Sequence, residues 1–116
     1  MPNQIGAFLV FFLIALALPA SAHAVLVAAT PEANATVQGN STLLRLKFNL
    51  RIDGERSRLV LVQPDGHERP IKTTQPSADL LTSEQGNLSP GSYAVRWLVL
   101  AEDGHISRGE FHFLVK

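Results

Sequence analysis

Several short stretches of the chain alternate between apolar and polar residues, which is the pattern of β-strands with one face in a core. In the segment 41–50, Leu44, Leu46 and Phe48 alternate with charged and amide side chains. The segment 91–100 alternates over its whole length and predicts the strongest strand. Four side chains are expected on its inner face: Tyr93, Val95, Trp97 and Val99.

Other segments predict further strands. Segment 56–63 ends apolar on both faces and indicates a more central strand, and segment 110–115 has Phe111, Phe113 and Val115 on one side. Weaker candidates are 23–28 and 78–82. No window after residue 22 has a sustained helical apolar stripe. We therefore expect an all-β protein, an immunoglobulin-like antiparallel β-sandwich of Greek-key type with about seven strands. The segment 87–93 resembles the tyrosine corner of such folds.

The N-terminal segment 1–22 has no charged side chain and predicts a secretory signal. Its apolar run, Ile5–Leu18, is shorter than the about 20 residues that cross a bilayer. The small residues Ala20-Ser21-Ala22 supply a cleavage site. Cleavage after Ala22 would release an exported domain, 23–116, that is not inserted in a membrane.

The charged residues all lie after the predicted signal, ten basic against ten acidic. This balance gives no electrostatic reason to expect binding to nucleic acid or to an anionic membrane surface. The chain has no cysteine, and its one methionine is Met1, which would leave with the signal. The mature domain would then have no sulfur ligand for a soft metal ion.

His23 becomes the first residue of the mature protein if cleavage follows Ala22. It then offers two nitrogen ligands, its free α-amine and a ring nitrogen, which together close a small chelate ring. Neutral imidazole and a free amine suit copper(II) and nickel(II), and copper(II) binds most tightly among the divalent ions. A tetragonal site needs about two more ligands.

The triplet Asp-Gly-His occurs twice, at 65–67 and at 103–105. Asp103 and His105 could supply a carboxylate and an imidazole on one side of the backbone. The alternative is an ordinary hairpin turn with a histidine present by chance, and the triplet alone does not separate the two. His67 and His112 are expected at the surface without a ligand role.

The residues resemble the CopC family of periplasmic copper-binding proteins over nearly all of the mature chain. The resemblance starts at the cleavage junction with His23-Ala24 and continues in Thr30-Pro31 and the strand 44–48. Its most specific part follows the pattern GxYxVxW and then DGHxxxGxxxFxV, carried by these residues: Gly91, Tyr93, Val95, Trp97, Asp103, Gly104, His105, Gly109, Phe113 and Val115. A histidine at the start of the mature chain makes the match more specific still.

The resemblance implies one copper(II) ion per chain, bound by the His23 amine and imidazole together with Asp103 and His105. It makes the first Asp-Gly-His an ordinary turn and places the protein in the periplasm. We expect a monomer whose partners are the copper ion and a separate CopD-like inner-membrane protein. Two departures stand out. No methionine-rich copper(I) site is present, and Phe48-Asn49-Leu50-Arg51 replaces the F-S-E-P of many relatives, so that any role of that glutamate near copper is lost.

The leading functional hypothesis is a carrier or buffer of copper(II), not an enzyme, in copper resistance, homeostasis or uptake. The first alternative is a copper-dependent oxidative enzyme, because an N-terminal histidine and a second histidine also form the site of polysaccharide-oxidising monooxygenases. The second is an immunoglobulin-like interaction module without metal. The sequence leaves the direction of copper transfer open.

Overall fold

The computed structural model describes residues 23–116, which contain β-strands and no helix within that range. The predicted signal and its cleavage site lie outside the described residues. The strands are, in chain order, β1 (Leu26–Thr30), β2 (Thr36–Val37), β3 (Thr42–Phe48), β4 (Arg58–Val62), β5 (Glu68–Ile71), β6 (Thr74–Ser77), β7 (Leu80–Gln85), β8 (Gly91–Leu100) and β9 (Ile106–Val115). Between residues 23 and 116 there is no helix with the length and apolar character needed to cross a membrane.

The strands form two sheets that enclose one core. One sheet has four strands in the order β1-β3-β7-β6, and the other has five in the order β2-β9-β8-β4-β5. The all-β immunoglobulin-like sandwich is therefore confirmed. It has nine strands in place of about seven, and one pair, β2 with β9, is parallel.

The longest pairing is the β8–β9 hairpin, which runs in unbroken antiparallel register from Gly91 opposite Val115 to Leu100 opposite Ile106. Its inner side chains are buried, as the alternation predicts. The residues concerned are Tyr93, Val95, Trp97, Val99, Phe111, Phe113 and Val115. The hairpin supplies much of the core and fixes the position of the loop that joins its strands.

Trp97 fills the middle of the sandwich and needs a glycine beside it. Its ring packs edge-on against Phe48 at 5.3 Å between centroids. Gly109 lies opposite Trp97 in the register, and a Cβ at Gly109 would overlap the indole ring. The glycine of the family pattern is therefore required by packing, because the indole occupies the space of its side chain.

Strand β9 begins at Ile106, four positions before the predicted start at Glu110. The first residues of β9 lack the expected alternation, since Ile106 is exposed and Gly109 has no side chain. Pairing with β8 determines their conformation instead of local preference.

The edge strands β5 and β6 were not predicted, because each contains a proline. Pro70 and Pro76 lack the N–H that an inner strand needs, but an edge strand can accommodate them. In this fold β5 and β6 each close one sheet at its edge.

The two Asp-Gly-His loops lie at opposite ends of the five-stranded sheet. Strands β4 and β8 are antiparallel, and Val62, at the end of β4, pairs with Ala94, near the start of β8. The loop 63–67 therefore follows β4 at one end, whereas the loop 101–105 follows β8 at the other. The chain segment directly before β1 can therefore lie beside only one of these two loops.

Candidate metal centre

The chain before β1 is held against both sheets by hydrogen bonds. The Ala24 N–H donates to Ser107 Oγ at 2.9 Å. The Val25 N–H donates to Asn49 Oδ1 at 2.8 Å, and the Asn49 N–H donates to the Val25 carbonyl at 3.0 Å. Ala24 is buried in the core, whereas His23 is exposed. His23 thus lies at the surface next to the start of β9.

The loop 101–105 is a tight turn whose form follows from its sequence. The Ala101 N–H donates to the His105 carbonyl at 2.8 Å, and the Gly104 N–H donates to the Ala101 carbonyl at 2.8 Å. Gly104 has a φ of 95°, a left-handed conformation that glycine adopts without steric cost. Asp103 Oδ1 accepts a hydrogen bond from the His105 N–H at 3.1 Å and fixes the turn further.

The turn brings the predicted ligand residues side by side. The rings of His23 and His105 meet edge to face, with centroids 5.6 Å apart. The other neighbour of His105 is Asp103, whose Oδ1 lies 3.0 Å from His105 Nδ1. Both contacts of the Asp103 carboxylate use Oδ1, and within residues 23–116 Oδ2 has no hydrogen-bond partner.

The side chains do not form a closed cage. In the described part of the chain, no three His, Cys, Asp or Glu side chains are arranged to hold a metal ion. The N-terminal hypothesis also uses three side chains, those of His23, Asp103 and His105, together with the His23 α-amine. These side chains would therefore have to move to surround one ion.

The carboxylate of Asp103 is ionised near neutral pH. The hydrogen bond from the His105 N–H, followed by the contact with the His105 ring, holds the pKa of Asp103 below its usual value. The side chains of Asp103 and His105 are about half exposed, at 48% and 53%. The site is therefore an open surface position with a negative charge beside two imidazoles.

The other histidines lie elsewhere, as predicted. His67 occupies the loop 63–67, and its side chain is 80% exposed. His112 lies on the outer face of β9, where its Nε2 is 3.0 Å from Glu110 Oε2. Within residues 23–116, the ring of His23 contacts the ring of His105 and neither of these two rings.

Asn49 and Ser107 were missed by the sequence analysis. Asn49 lies in the departure from the F-S-E-P pattern, which was interpreted only as a loss. Ser107 follows His105 by two positions and is the second residue of β9. That spacing could have indicated Ser107 once the loop 101–105 was assigned to the site.

The CopC domain family matches residues 26–116, which is most of the described chain. The chain belongs to the CopC family. This finding confirms the resemblance to the CopC family, and the matched residues begin after the predicted cleavage junction.

The chain is similar to other proteins over most of its own length and most of theirs. Copper resistance protein C of Xanthomonas campestris pv. juglandis is 33% identical over 106 residues, covering 84% of this chain and 83% of that protein. Protein YobA of Escherichia coli K12 is 32% identical over 101 residues, covering 82% and 80%. The crystal structure of CopC from Methylosinus trichosporium OB3b is 28% identical with a TM-score of 0.73, covering 81% of this chain and 94% of that one.

Proposed function

We propose that this protein binds one copper(II) ion per chain in the periplasm and acts as a carrier or buffer in copper resistance or homeostasis. Its ligands would be the His23 amine and imidazole, Asp103 and His105. The observation that carries the proposal is the contact between the His23 and His105 rings, with centroids 5.6 Å apart. Membership of the CopC family and similarity to a copper resistance protein support copper as the metal.

The available donor atoms favour copper(II) over copper(I). Imidazole, amine and carboxylate are the nitrogen and oxygen ligands of tetragonal copper(II) sites, whereas copper(I) prefers thiolate and thioether sulfur. Residues 23–116 contain neither cysteine nor methionine. The ionised carboxylate of Asp103 would also offset part of the charge of a divalent ion.

An open site suits transfer of the metal more than catalysis on a large substrate. Asp103 and His105 are about half exposed, so that an acceptor could reach the ion directly. Within residues 23–116 the aromatic residues are Phe48, Tyr93, Trp97, Phe111 and Phe113. All five are buried, and none of them could form an exposed platform for a polysaccharide. We therefore propose a protein without turnover, whose separate acceptor or donor is a CopD-like inner-membrane protein.

The test is a titration of the mature protein, starting at His23, with copper(II) in competition with a chelator of known affinity. We expect one ion per chain and an axial EPR spectrum with nitrogen coordination. Copper(I) measured in the same way should bind weakly. A copper(I) affinity equal to that for copper(II), or no copper(II) binding, would contradict the proposal. Peroxide production from ascorbate, at rates well above those of free copper, would favour the enzyme instead.

A further inference from the structure

Ala24 and Val25, which follow His23, make three backbone hydrogen bonds. Their partners come from both sheets of the sandwich. Ser107 in β9 accepts from the Ala24 N–H, and Asn49, directly after β3, bonds both polar groups of Val25. Ala24 is 4% exposed and belongs to the core. These contacts form a clamp, defined here as Ser107, Asn49, Ala24 and Val25, that holds the chain where it emerges toward His23.

A ligand at a chain terminus has a particular difficulty, because a terminus is tied to the protein on one side only. Terminal residues are poorly ordered unless they are held in place. An unheld His23 would lose backbone and side-chain freedom on binding a metal, and that loss would weaken binding. A clamp that orders the next two residues beforehand removes part of this cost.

Ser107 also connects the terminus to the other ligands. It is the second residue of β9 and lies two residues after His105, because β9 begins directly after the turn that carries Asp103 and His105. The hydrogen bond from Ala24 to Ser107 therefore ties His23 to the hairpin that bears the other two ligands. A shift of the hairpin would carry His23 with it and preserve the distances between the ligands.

We propose that Ser107, together with Asn49, is a positioning residue for the copper(II) chelate. It touches no metal and acts through the backbone of Ala24. This inference rests on the proposed N-terminal chelate and deepens it, because it explains how a terminal histidine is held facing the loop 101–105. Asn49 in place of the relatives' serine then has a role of its own, since its side-chain carbonyl accepts from Val25.

The decisive comparison is Ser107→Thr against Ser107→Val. The two side chains have nearly the same shape and both suit a strand, but only threonine keeps the hydroxyl oxygen. We expect Ser107→Thr to bind copper(II) within about threefold of the parent protein and Ser107→Val to bind about 10-fold or more weakly, as for the loss of an outer-shell partner. Asn49→Ala should weaken binding in the same direction. Thermal melting of the metal-free variants checks that both fold.

A second arm separates positioning from general damage to the fold. In a protein with one extra glycine before His23, the amine is no longer a ligand, and only the His23 imidazole is left for the clamp to position. Ser107→Thr and Ser107→Val should then differ much less in copper(II) affinity than they do in the protein that starts at His23, whereas a merely structural effect would persist in full. Equal affinities of the two variants in the protein that starts at His23 would overturn the inference.

A metal-free measurement supports the same mechanism and keeps the two failures apart. Hydrogen exchange of the Ala24 amide should be slow in the parent protein and in Ser107→Thr, and clearly faster in Ser107→Val. If the extra glycine leaves copper(II) affinity unchanged in the parent protein, the proposed chelate is wrong and the positioning role falls with it. If the glycine weakens copper(II) binding, but Ser107→Thr and Ser107→Val have equal copper(II) affinities in the protein that starts at His23, only the positioning role is wrong.

Discussion

His67 and His105 occupy the same position in two hairpin loops of the same construction. In each loop the N–H of the histidine donates to Oδ1 of the preceding aspartate. A carboxylate oxygen also lies near the ring Nδ1, Asp65 Oδ2 at 3.1 Å for His67 and Asp103 Oδ1 at 3.0 Å for His105. The glycines between them have φ values of 90° and 95°. The difference is the neighbour, because His105 contacts the ring of His23 and His67 contacts no other aromatic ring within residues 23–116.

The twin loops provide a matched control for the ligand assignment. We expect His105→Ala and Asp103→Ala each to weaken copper(II) binding by more than the roughly 10–100-fold typical of an outer-shell partner, because each removes a ligand. His67→Ala and Asp65→Ala remove the same groups from a loop of the same form and should leave the affinity nearly unchanged. Competition titrations of the four variants measure both effects.

His112→Ala extends the comparison to a histidine on a strand face, and it too should have almost no effect. A loss at His67 as large as that at His105 would mean that the wrong Asp-Gly-His has been assigned to copper. Melting curves show whether any variant loses affinity by losing its fold.

The sandwich could be predicted because alternation and burial agree in its central strands. In β8 every side chain expected inward is buried, and the tyrosine corner is present, with Tyr93 Oη donating to the Ser89 carbonyl at 2.7 Å. The edge strands β5 and β6 have no such signal, since nearly all of their side chains are exposed and buried and exposed positions do not alternate. Because of their prolines, β5 and β6 were not predicted as strands from the sequence. Each is stabilised by pairing with the strand next to it in the sheet.

The candidate site was partly predictable for a different reason. Asp103 and His105 are only two positions apart in the sequence, and the pattern around them is specific to the family. The clamp joins residues that are far apart in the chain, and its contacts use backbone atoms of Ala24 and Val25, which carry no chemical signature. Only the fold reveals that Ser107 and Asn49 meet the N-terminal segment.

Tyr93→Phe tests the tyrosine corner separately from metal binding. The change keeps the ring that stacks on Phe113 and removes only the hydroxyl that bonds the Ser89 carbonyl. We expect a loss of about 1 kcal/mol in the free energy of unfolding. For a domain of this size, that corresponds to a fall of roughly 4–8 °C in the melting temperature.

Ser89→Ala is the control for this prediction, because the main acceptor is the backbone carbonyl of residue 89, which remains. Its effect on stability should be much smaller than that of Tyr93→Phe. Copper(II) affinity at neutral pH should be the same in both variants and in the parent protein. Equal melting temperatures for Tyr93→Phe and the parent protein would show that the hydroxyl adds nothing to stability.

The affinity for copper(II) should fall as the pH falls through the neutral range, because protons compete for the nitrogen ligands. An α-amine and an imidazole bind a metal ion only in their deprotonated forms. The pKa of Asp103 is held below its usual value by its hydrogen bonds to His105, so this carboxylate stays ionised and adds no dependence above about pH 5. Titrations from about pH 5 to 8 should therefore show the same slope in Asp103→Asn, at a lower affinity throughout. A clearly smaller slope in that variant would contradict this assignment.

The position of signal cleavage decides whether the chelate can form. A second small-residue pattern, Ala22-His23-Ala24, lies just beyond the first, and cleavage after Ala24 would discard His23. We expect cleavage after Ala22, so that the intact mass of the exported protein corresponds to residues 23–116. A mass that corresponds to residues 25–116 would mean that the exported protein lacks His23 and also lacks Ala24, whose N–H donates to Ser107.

One glycine added before His23 should severely weaken copper(II) binding. The added residue converts the α-amine of His23 into an amide, whose lone pair is delocalised and whose proton leaves only reluctantly, so the chelate loses one nitrogen. The imidazole stays in place and the clamp is untouched, because its contacts begin at Ala24. Titration of the extended and parent proteins, with melting curves to confirm an unchanged fold, measures the contribution of the amine. Equal copper(II) affinities in the two proteins would refute the N-terminal chelate and would leave copper, if bound, to the side chains alone.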